Sequence, residues 1–412
     1  MYKESKYNYY VKNKEGYLLY NTLYNGLVKL DEEEYKQIKN IEKLNSNEEL
    51  TKELYDNGFL VHKTIDEEII YEKLRLIVEK IDKNRLDLTI AVTTNCNARC
   101  IYCYEEGIKP YNMNFECADK IIKFILEYKD IEKININWFG GEPLLNIPII
   151  DYITEQLRKN RIYFNSTIIT NGYYIDKVDI SILKEKWNVR NIQITLDGTK
   201  EEYEKRKRYK NMEKDIFEKV IDNIEKLINN EIYVSIRLNI DKKNKDNILE
   251  LVKYLKYRFL LNSYLNIYIA FLNYSLLSEL MLSRKEREEI VSKIYEELPI
   301  CSFCAYENSL ENIPQIYGCL YDDPQAYVID SEGYIYKCEH YIGLHEKSIG
   351  NIYEDNINEK IYRVKGRRKN NIKCKKCVFY PKCLEGCYAY CCENTDHCGI
   401  EKYMIKAYLK TF

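Results

Sequence analysis

The 412-residue sequence has almost no excess charge and no long apolar run, and its opening residues do not read as a secretory leader. Lys and Arg number 63 against 65 Asp and Glu, a formal net charge of −2. Bulk charge therefore gives no ground for a nucleic-acid or anionic-membrane partner, because electrostatic steering needs a field of one sign. No apolar run approaches the roughly 20 residues of a membrane span. The first residues, Met1-Tyr-Lys-Glu-Ser-Lys-Tyr7, open with charges and lack the apolar stretch of a signal peptide, which predicts a cytoplasmic protein. In that reducing compartment the 15 cysteines do not read as a disulfide framework. Their number is odd and they fall in clusters, so metal ligation is the better account. Hydrophobic residues make up 45%, enough for sizeable cores, and the length predicts two or three domains.

What is present centres on Cys96-Asn-Ala-Arg-Cys100-Ile-Tyr-Cys103. Three thiols at spacing C-x3-C-x2-C directly follow Leu88-Thr-Ile-Ala-Val-Thr93, a β-branched run that reads as a buried strand. A strand ending in closely spaced thiols is a place to hold a soft metal. Structural zinc wants four protein ligands, and an iron–sulfur cubane usually takes four thiolates. Three leave one iron open to a ligand that is not protein. Unpaired core thiols, or three zinc ligands with a distant fourth, are the alternatives.

From Leu88 a strand-then-helix alternation begins. The pattern predicts strands over 88–93, 134–139, 167–170, 192–196, 234–239 and 265–271, with helices between them such as Cys117 to Tyr128 and Lys214 to Ile228. Six such units make α/β architecture, a partial (β/α)6 TIM-like barrel with its active-site residues at the carboxyl ends of strands. The polar motifs fall there. Gly140-Gly141-Glu142-Pro143 follows the second strand; two glycines admit close backbone approach and Glu142 can accept from an ammonium, although alone the run is only a turn. Thr170-Asn171-Gly172 follows the third strand. Thr195-Leu196-Asp197-Gly198 ends the fourth, before the charged stretch Lys205-Arg206-Lys207-Arg208. Arg237 and Asn239 share one face of the fifth, where a charged Arg is costly without a partner.

Residues 1–84 read as a separate α+β unit. A hairpin joins Tyr7–Val11 to Tyr17–Tyr20, and Leu27–Leu30 adds a third strand. Asp31 and Glu34 have capping-box spacing and open a helix to Ile41. A second helix over Glu48–Asp56 stops at Asn57-Gly58, Phe59–Val61 is a strand, and residues 65–84 form an amphipathic linking helix.

With these residues in view, the C-x3-C-x2-C loop, with Tyr102 before its last Cys, resembles the radical S-adenosylmethionine (SAM) superfamily. The resemblance implies that Cys96, Cys100 and Cys103 hold a 4Fe–4S cluster whose open iron is chelated by SAM. An electron then splits SAM, and the 5′-deoxyadenosyl radical takes a hydrogen atom from the substrate. It further implies that Gly140, Gly141 and Glu142 hold SAM's amino group. Tyr102, Thr170, Thr195, Asp197 and the backbone of Leu272 are the other cofactor contacts carried over. Thr195 stands where the family has Ser and keeps the hydroxyl. The family's following Arg falls on Lys207, flanked by Arg206 and Arg208; Arg206 is the favoured ligand for the SAM carboxylate, with Arg237 the second candidate.

From Cys319 onward, Cys319, Cys338, Cys374, Cys377, Cys383, Cys387 and Cys398 resemble the Cys-rich SPASM extension of such enzymes, with Gly333 five residues before Cys338. The resemblance implies two auxiliary 4Fe–4S clusters. One is held by Cys374, Cys377, Cys383 and Cys398. The other is held by Cys319, Cys338 and Cys387, with Cys301 or Cys304, or a substrate thiolate, as fourth ligand. Cys391 and Cys392 fit no slot, Cys117 reads as a buried helical thiol, and a zinc ribbon is the alternative for the segment. Glu339 stands where sulfatase-maturing relatives have an Asp that removes a substrate proton, and His340 is a second candidate for that task. The N-terminal unit resembles the winged-helix-like leader-binding element of peptide-modifying enzymes, which grips an extended peptide by strand addition.

The expected organisation is therefore a leader-recognition-like domain and linking helix over 1–84, a radical SAM core over 85–285, a bridging region over 286–318 and a SPASM domain over 319–412. The expected function is maturation of a ribosomally made precursor peptide with a leader, fed by an electron donor such as ferredoxin or flavodoxin. A thioether crosslink is the first-named product. Formylglycine formation in sulfatases is the enzymatic alternative, and an iron–sulfur electron carrier or zinc-ribbon scaffold the non-enzymatic one.

Overall fold

A computed structural model describes residues 1–40, 44, 48–81, 84–128, 131–210, 215–259, 262–272, 278–298, 320–355, 357, 372–384 and 400–410. Cys301, Cys304, Cys319, Cys387, Cys391, Cys392 and Cys398 lie outside them.

The N-terminal unit opens with β1 (Tyr2–Glu4), then β2 (Asn8–Lys12), β3 (Tyr17–Asn21) and β4 (Leu27–Leu30), which pair antiparallel in the order β2-β3-β4. Helix α1 (Glu32–Lys39) starts where the spacing predicts: the Asp31 carboxylate accepts from the amides of Glu33 and Glu34, and Glu34 accepts from the Asp31 amide. Helix α2 (Glu48–Asp56) is followed by Gly58 at φ +77°, the left-handed step that favours glycine at a helix end. Strand β5 (Leu60–His62) pairs antiparallel with β1, a partner the hydrophobic pattern did not announce because β1 is only three residues long. Helix α3 (Glu67–Ile81) links this unit to the rest.

The central sheet is built from β6 (Arg85–Thr93), β7 (Lys133–Gly140), β8 (Phe164–Thr170), β9 (Val189–Leu196), β10 (Tyr233–Ile240) and β11 (Leu265–Phe271). Neighbours pair in sequence order and all pairs are parallel. Each predicted strand is present with this connectivity. Strand β6 is buried nearly throughout because helices cover one face and inward-pointing side chains fill the other, which is why it reads as a continuous apolar run. The crossover helices are α4 (Phe115–Leu126), α5 (Ile147–Lys159), α6 (Lys200–Lys207), α7 (Ile216–Asn229) and α8 (Lys245–Phe259), followed by α9 (Arg284–Glu297). One apolar cluster spans strands and helices and includes fully buried Trp138 and Trp187.

The C-terminal part adds to this sheet. Strand β12 (Ala326–Ile329) pairs parallel with β6, and β13 (Tyr334–Tyr336) and β14 (Gly350–Asn351) continue antiparallel, giving nine strands. The expected turn at Asp330–Gly333 forms: the Asp330 carboxylate accepts from the Glu332 and Tyr334 amides, and Gly333 has φ +85°. That this hairpin would extend the central sheet was not legible, since its strands are short and their partner lies some 240 residues earlier in the chain. Short helices α10 (Ile372–Lys375) and α11 (Tyr380–Cys383), and α12 (Ile400–Leu409), complete the described elements. Among the described residues no helix is long and apolar enough to cross a membrane.

Candidate functional site

The carboxyl ends of β6 to β11 carry the motifs. The loop after β6 holds Cys96 and Cys100 half-buried and Cys103 exposed, none in a disulfide. Its first arm lies backbone against backbone on the loop after β7: the Gly141 amide donates to the Thr93 carbonyl at 3.0 Å and the Glu142 amide to the Asn95 carbonyl at 2.9 Å. A Cβ on Gly140 would sit 2.0 Å from the Thr93 oxygen, and one on Gly141 2.4 Å from that of Asn95. The two glycines are thus required by the contact between loops, before any ligand is considered.

Glu142 is fully buried. Its carboxylate accepts from the Thr170 hydroxyl at 2.7 Å and from the amides of Asn171 at 2.9 Å and Leu144 at 3.2 Å. Burial pushes its pKa up to about 7, against the lowering effect of those donors. Thr170 thereby fixes the position of Glu142.

The other side of the cysteine loop is strapped to the end of α6. The Arg99 amide donates to the carbonyls of Lys207 and Arg208 at 3.0 and 3.1 Å, and the Ile101 amide to that of Arg206 at 3.0 Å. Arg208 adopts φ +51° as the helix ends, which turns these carbonyls toward the loop. Beneath lies a buried polar group. The Tyr102 hydroxyl donates to Asp197 at 2.5 Å and accepts from the Lys207 ammonium at 2.9 Å, and that ammonium stands 3.4 Å from Asp197. Arg206 is equally buried but is ion-paired with Asp241 at 2.7 Å, itself fully buried. The expectation that Arg206 serves an external carboxylate meets this pairing: its guanidinium already has an internal one. The positive charge of Lys207 opposes the rise in the Cys100 pKa that burial causes.

The thiols carry raised pKa values. Burial, then the Glu142 charge, pushes Cys96 up to about 12, and burial raises Cys100. Left alone such thiols keep their protons, and a bound metal displaces them. Among the described residues no three His, Cys, Asp or Glu side chains are gathered tightly enough to hold a single ion. The donor set of three unpaired thiols on one loop fits the open-cornered cluster better than one zinc ion. The buried Asn97 side chain crosses the loop, accepting from Asn171 at 2.7 Å, and its own amide nitrogen has no partner.

Opposite, Thr195, Arg237 and Tyr268 occupy one register row across β9, β10 and β11. The Arg237 guanidinium donates to Asn239 at 3.0 Å, and Tyr268 donates to Gln193. Leu272 follows β11, its amide bonded to the Ile240 carbonyl at 2.9 Å. Glu339 and His340 follow Cys338, and the His340 ring lies 4.3 Å from that of Tyr104. Burial raises the Glu339 pKa and Arg237 opposes it; burial pushes His340 down to about 4. Tyr104, beside His340, was not singled out in the sequence. Its place directly after Cys103 was the available signal.

Cys338, Cys374, Cys377 and Cys383 are half-buried. Cys117 is buried on α4, as its position predicts.

Residues 90–255 match the model of the Radical SAM superfamily, so the chain carries a radical SAM domain on this α/β fold. A cysteine-type anaerobic sulfatase-maturating enzyme of Clostridium novyi is 24% identical over 72% of this chain and 85% of its own length. A solved structure of native anSMEcpe with bound AdoMet and Kp18Cys peptide superimposes with TM-score 0.59 at 19% identity, covering 79% of this chain and 96% of that one. SuiB of Streptococcus suis, solved bound to precursor peptide SuiA, gives TM-score 0.52 at 18% identity over 97% of this chain and 98% of its own.

Proposed function

We propose that the chain is a radical SAM maturase that modifies a ribosomally made precursor peptide. The observation that carries this reading is the three-thiol loop clamped between the Gly140-Gly141 backbone and the Arg206–Arg208 carbonyls, with Glu142 fixed beneath it. Cys96, Cys100 and Cys103 would hold a 4Fe–4S cluster which, with SAM bound, supplies the hydrogen-abstracting 5′-deoxyadenosyl radical. Glu142, held in place by three donors, would take SAM's ammonium. Arg237, in the row with Thr195, becomes the first candidate for its carboxylate now that Arg206 is paired. Leu272 stands where a backbone contact to adenine is expected. Glu339, near Arg237 and Tyr104, would remove the substrate proton as the product forms.

Cys374, Cys377 and Cys383, with Cys398, would hold one auxiliary 4Fe–4S cluster, and Cys338, with Cys319 and Cys387, the other. Ferredoxin or flavodoxin would be the electron donor, in a reducing cytoplasm. Residues 1–84 would recognise the leader, 85–285 form the core, 286–318 bridge, and 319–412 form the SPASM region. The match to SuiB over 97% of the chain supports a leader-recognition role for the N-terminal unit. A thioether crosslink is the product we name first. Formylglycine formation is the second reading, favoured by similarity along 85% of the Clostridium enzyme.

The test is incubation of the reduced, iron-loaded protein with SAM and candidate peptides. Release of 5′-deoxyadenosine with a peptide lighter by two hydrogens and unreactive to hydrazine supports the crosslink. A hydrazine-reactive aldehyde supports formylglycine. An iron-free protein that never cleaves SAM refutes both.

A further inference from the structure

We propose that the Cys374–Cys383 segment and the N-terminal unit form one coupled element, so that loading the auxiliary cluster docks the peptide-recognition domain. This rests on reading Cys374, Cys377 and Cys383 as cluster ligands. Nearly every residue between those cysteines is engaged with residues 1–81. Thr22, fully buried, donates its hydroxyl to the carbonyl of Val378, the residue after Cys377. The Phe379 ring lies 4.8 Å from that of Tyr9. Tyr380 meets Tyr71 edge to face at 5.8 Å and donates to Glu72 at 3.3 Å. Tyr71 in turn donates to the Pro381 carbonyl at 3.3 Å. Lys382, 4% exposed, donates to Asn25 at 2.5 Å. Cys374 itself packs against the cluster of Tyr7, Leu23 and Tyr71, and Cys377 against Leu18 and Tyr20.

The segment has little order of its own. Helices α10 and α11 are four residues each, far below the ~12–15 at which an isolated helix becomes even marginal. Its geometry is therefore set from outside, by thiol ligation and by the N-terminal unit, with Ile405 and Leu409 of α12 packed alongside. Each favours the same conformer, so each raises the apparent affinity of the other by the same factor. A chain that has lost this cluster presents its leader-binding unit loosely, and peptide capture follows cluster assembly.

The test uses the full chain, loaded with iron and sulfide without air. Hydrogen exchange is compared between wild type and Cys377→Ala. We expect exchange over 7–25 and 67–81 to rise by roughly tenfold, a usual size for such coupling, while the β6 amides stay protected. The reverse arm is T22V/N25A, which touches no cysteine. In a C96A/C100A/C103A background, where only auxiliary iron remains, this pair should release iron to a chelator roughly tenfold faster. Unchanged exchange in a Cys377→Ala chain that has lost iron, or unchanged iron release in T22V/N25A, overturns the coupling alone. A C96A/C100A/C103A chain that takes up no iron, or a Cys377→Ala chain that keeps all of its iron, overturns the ligand reading beneath it.

Discussion

Lys207 gives the sharpest test of the core site. Its side chain is 4% exposed, next to a fully buried Asp197. Burial alone would drive the ammonium toward neutrality; Asp197, Tyr102 and Cys100 outweigh it and keep it charged. Lys207→Met keeps the length and removes the charge. Asp197 would retain the Tyr102 hydroxyl, but its other oxygen already has no hydrogen-bond partner. Removing one partner of such a pair costs about 3–5 kcal/mol, because the remaining charge stays buried. At ~2–4 °C per kcal/mol for a domain of this class, the melting temperature should fall by roughly 6–20 °C. D197N/K207M removes the charge that the single change strands, and should recover most of the loss. Calorimetry of wild type, K207M, D197N and the double variant reads the coupling directly. A single variant within ~2 °C of wild type, or a double variant as unstable as the single, would show that the pair does not hold the loop as argued.

Cys100→Ala should abolish 5′-deoxyadenosine formation, measured by chromatography after reduction; retained turnover would remove the cluster assignment. Cys377→Ala should still cleave SAM but yield no modified peptide, since its lesion lies outside the radical-generating loop; loss of neither would make the auxiliary cluster dispensable. Glu286 closes the capping box of α9 with Ser283 and bonds Lys245 at 2.9 Å. These contacts hold its pKa at about 2, below the ordinary carboxylate value of 4.5. Its contribution is therefore complete above pH 4.5 and lost as pH falls toward 2. The melting-temperature gap between wild type and Glu286→Gln should accordingly narrow on acidification, and a gap independent of pH would contradict the pairing.

The parallel core was legible because its strands are β-branched runs spaced by amphipathic helices, and because each motif follows a strand end. What escaped was set by contacts distant in sequence. Nothing in Lys205-Arg206-Lys207-Arg208 says which cation pairs with Asp241 and which with Asp197; that depends on where α6 ends and on the left-handed turn at Arg208. The glycines of Gly140-Gly141 were read as making room for a ligand, whereas their first neighbours are the Thr93 and Asn95 carbonyls. Strand β12 was readable as a strand, but its parallel place beside β6 was not. The engagement of residues 375–382 with the N-terminal unit was equally silent, because aromatics between cysteines read as ordinary filler.

That engagement alters how leader recognition should be tested. Deleting residues 1–62 would strip the cover from Phe379, Ile405 and Leu409, which pack on Leu18 and Tyr20, so lost peptide binding would not isolate recognition. The sheet β2-β3-β4 is covered on both faces, by Leu54 and Phe59 on one and by that C-terminal group on the other. A peptide strand can then add only at an edge, and β4 pairs on one side with β3 and, among the described residues, with no strand on the other. Proline scanning separates the two sides of β4. At Val28 and Lys29 in turn, one amide faces β3 and the next faces outward. Proline at the inward position breaks the ladder and should lower stability. Proline at the outward one should leave the melt nearly unchanged and weaken leader binding by roughly 3- to 10-fold, the worth of one hydrogen bond. Isothermal titration with the leader alone measures this. Full affinity in both variants would place the peptide somewhere other than the β4 edge.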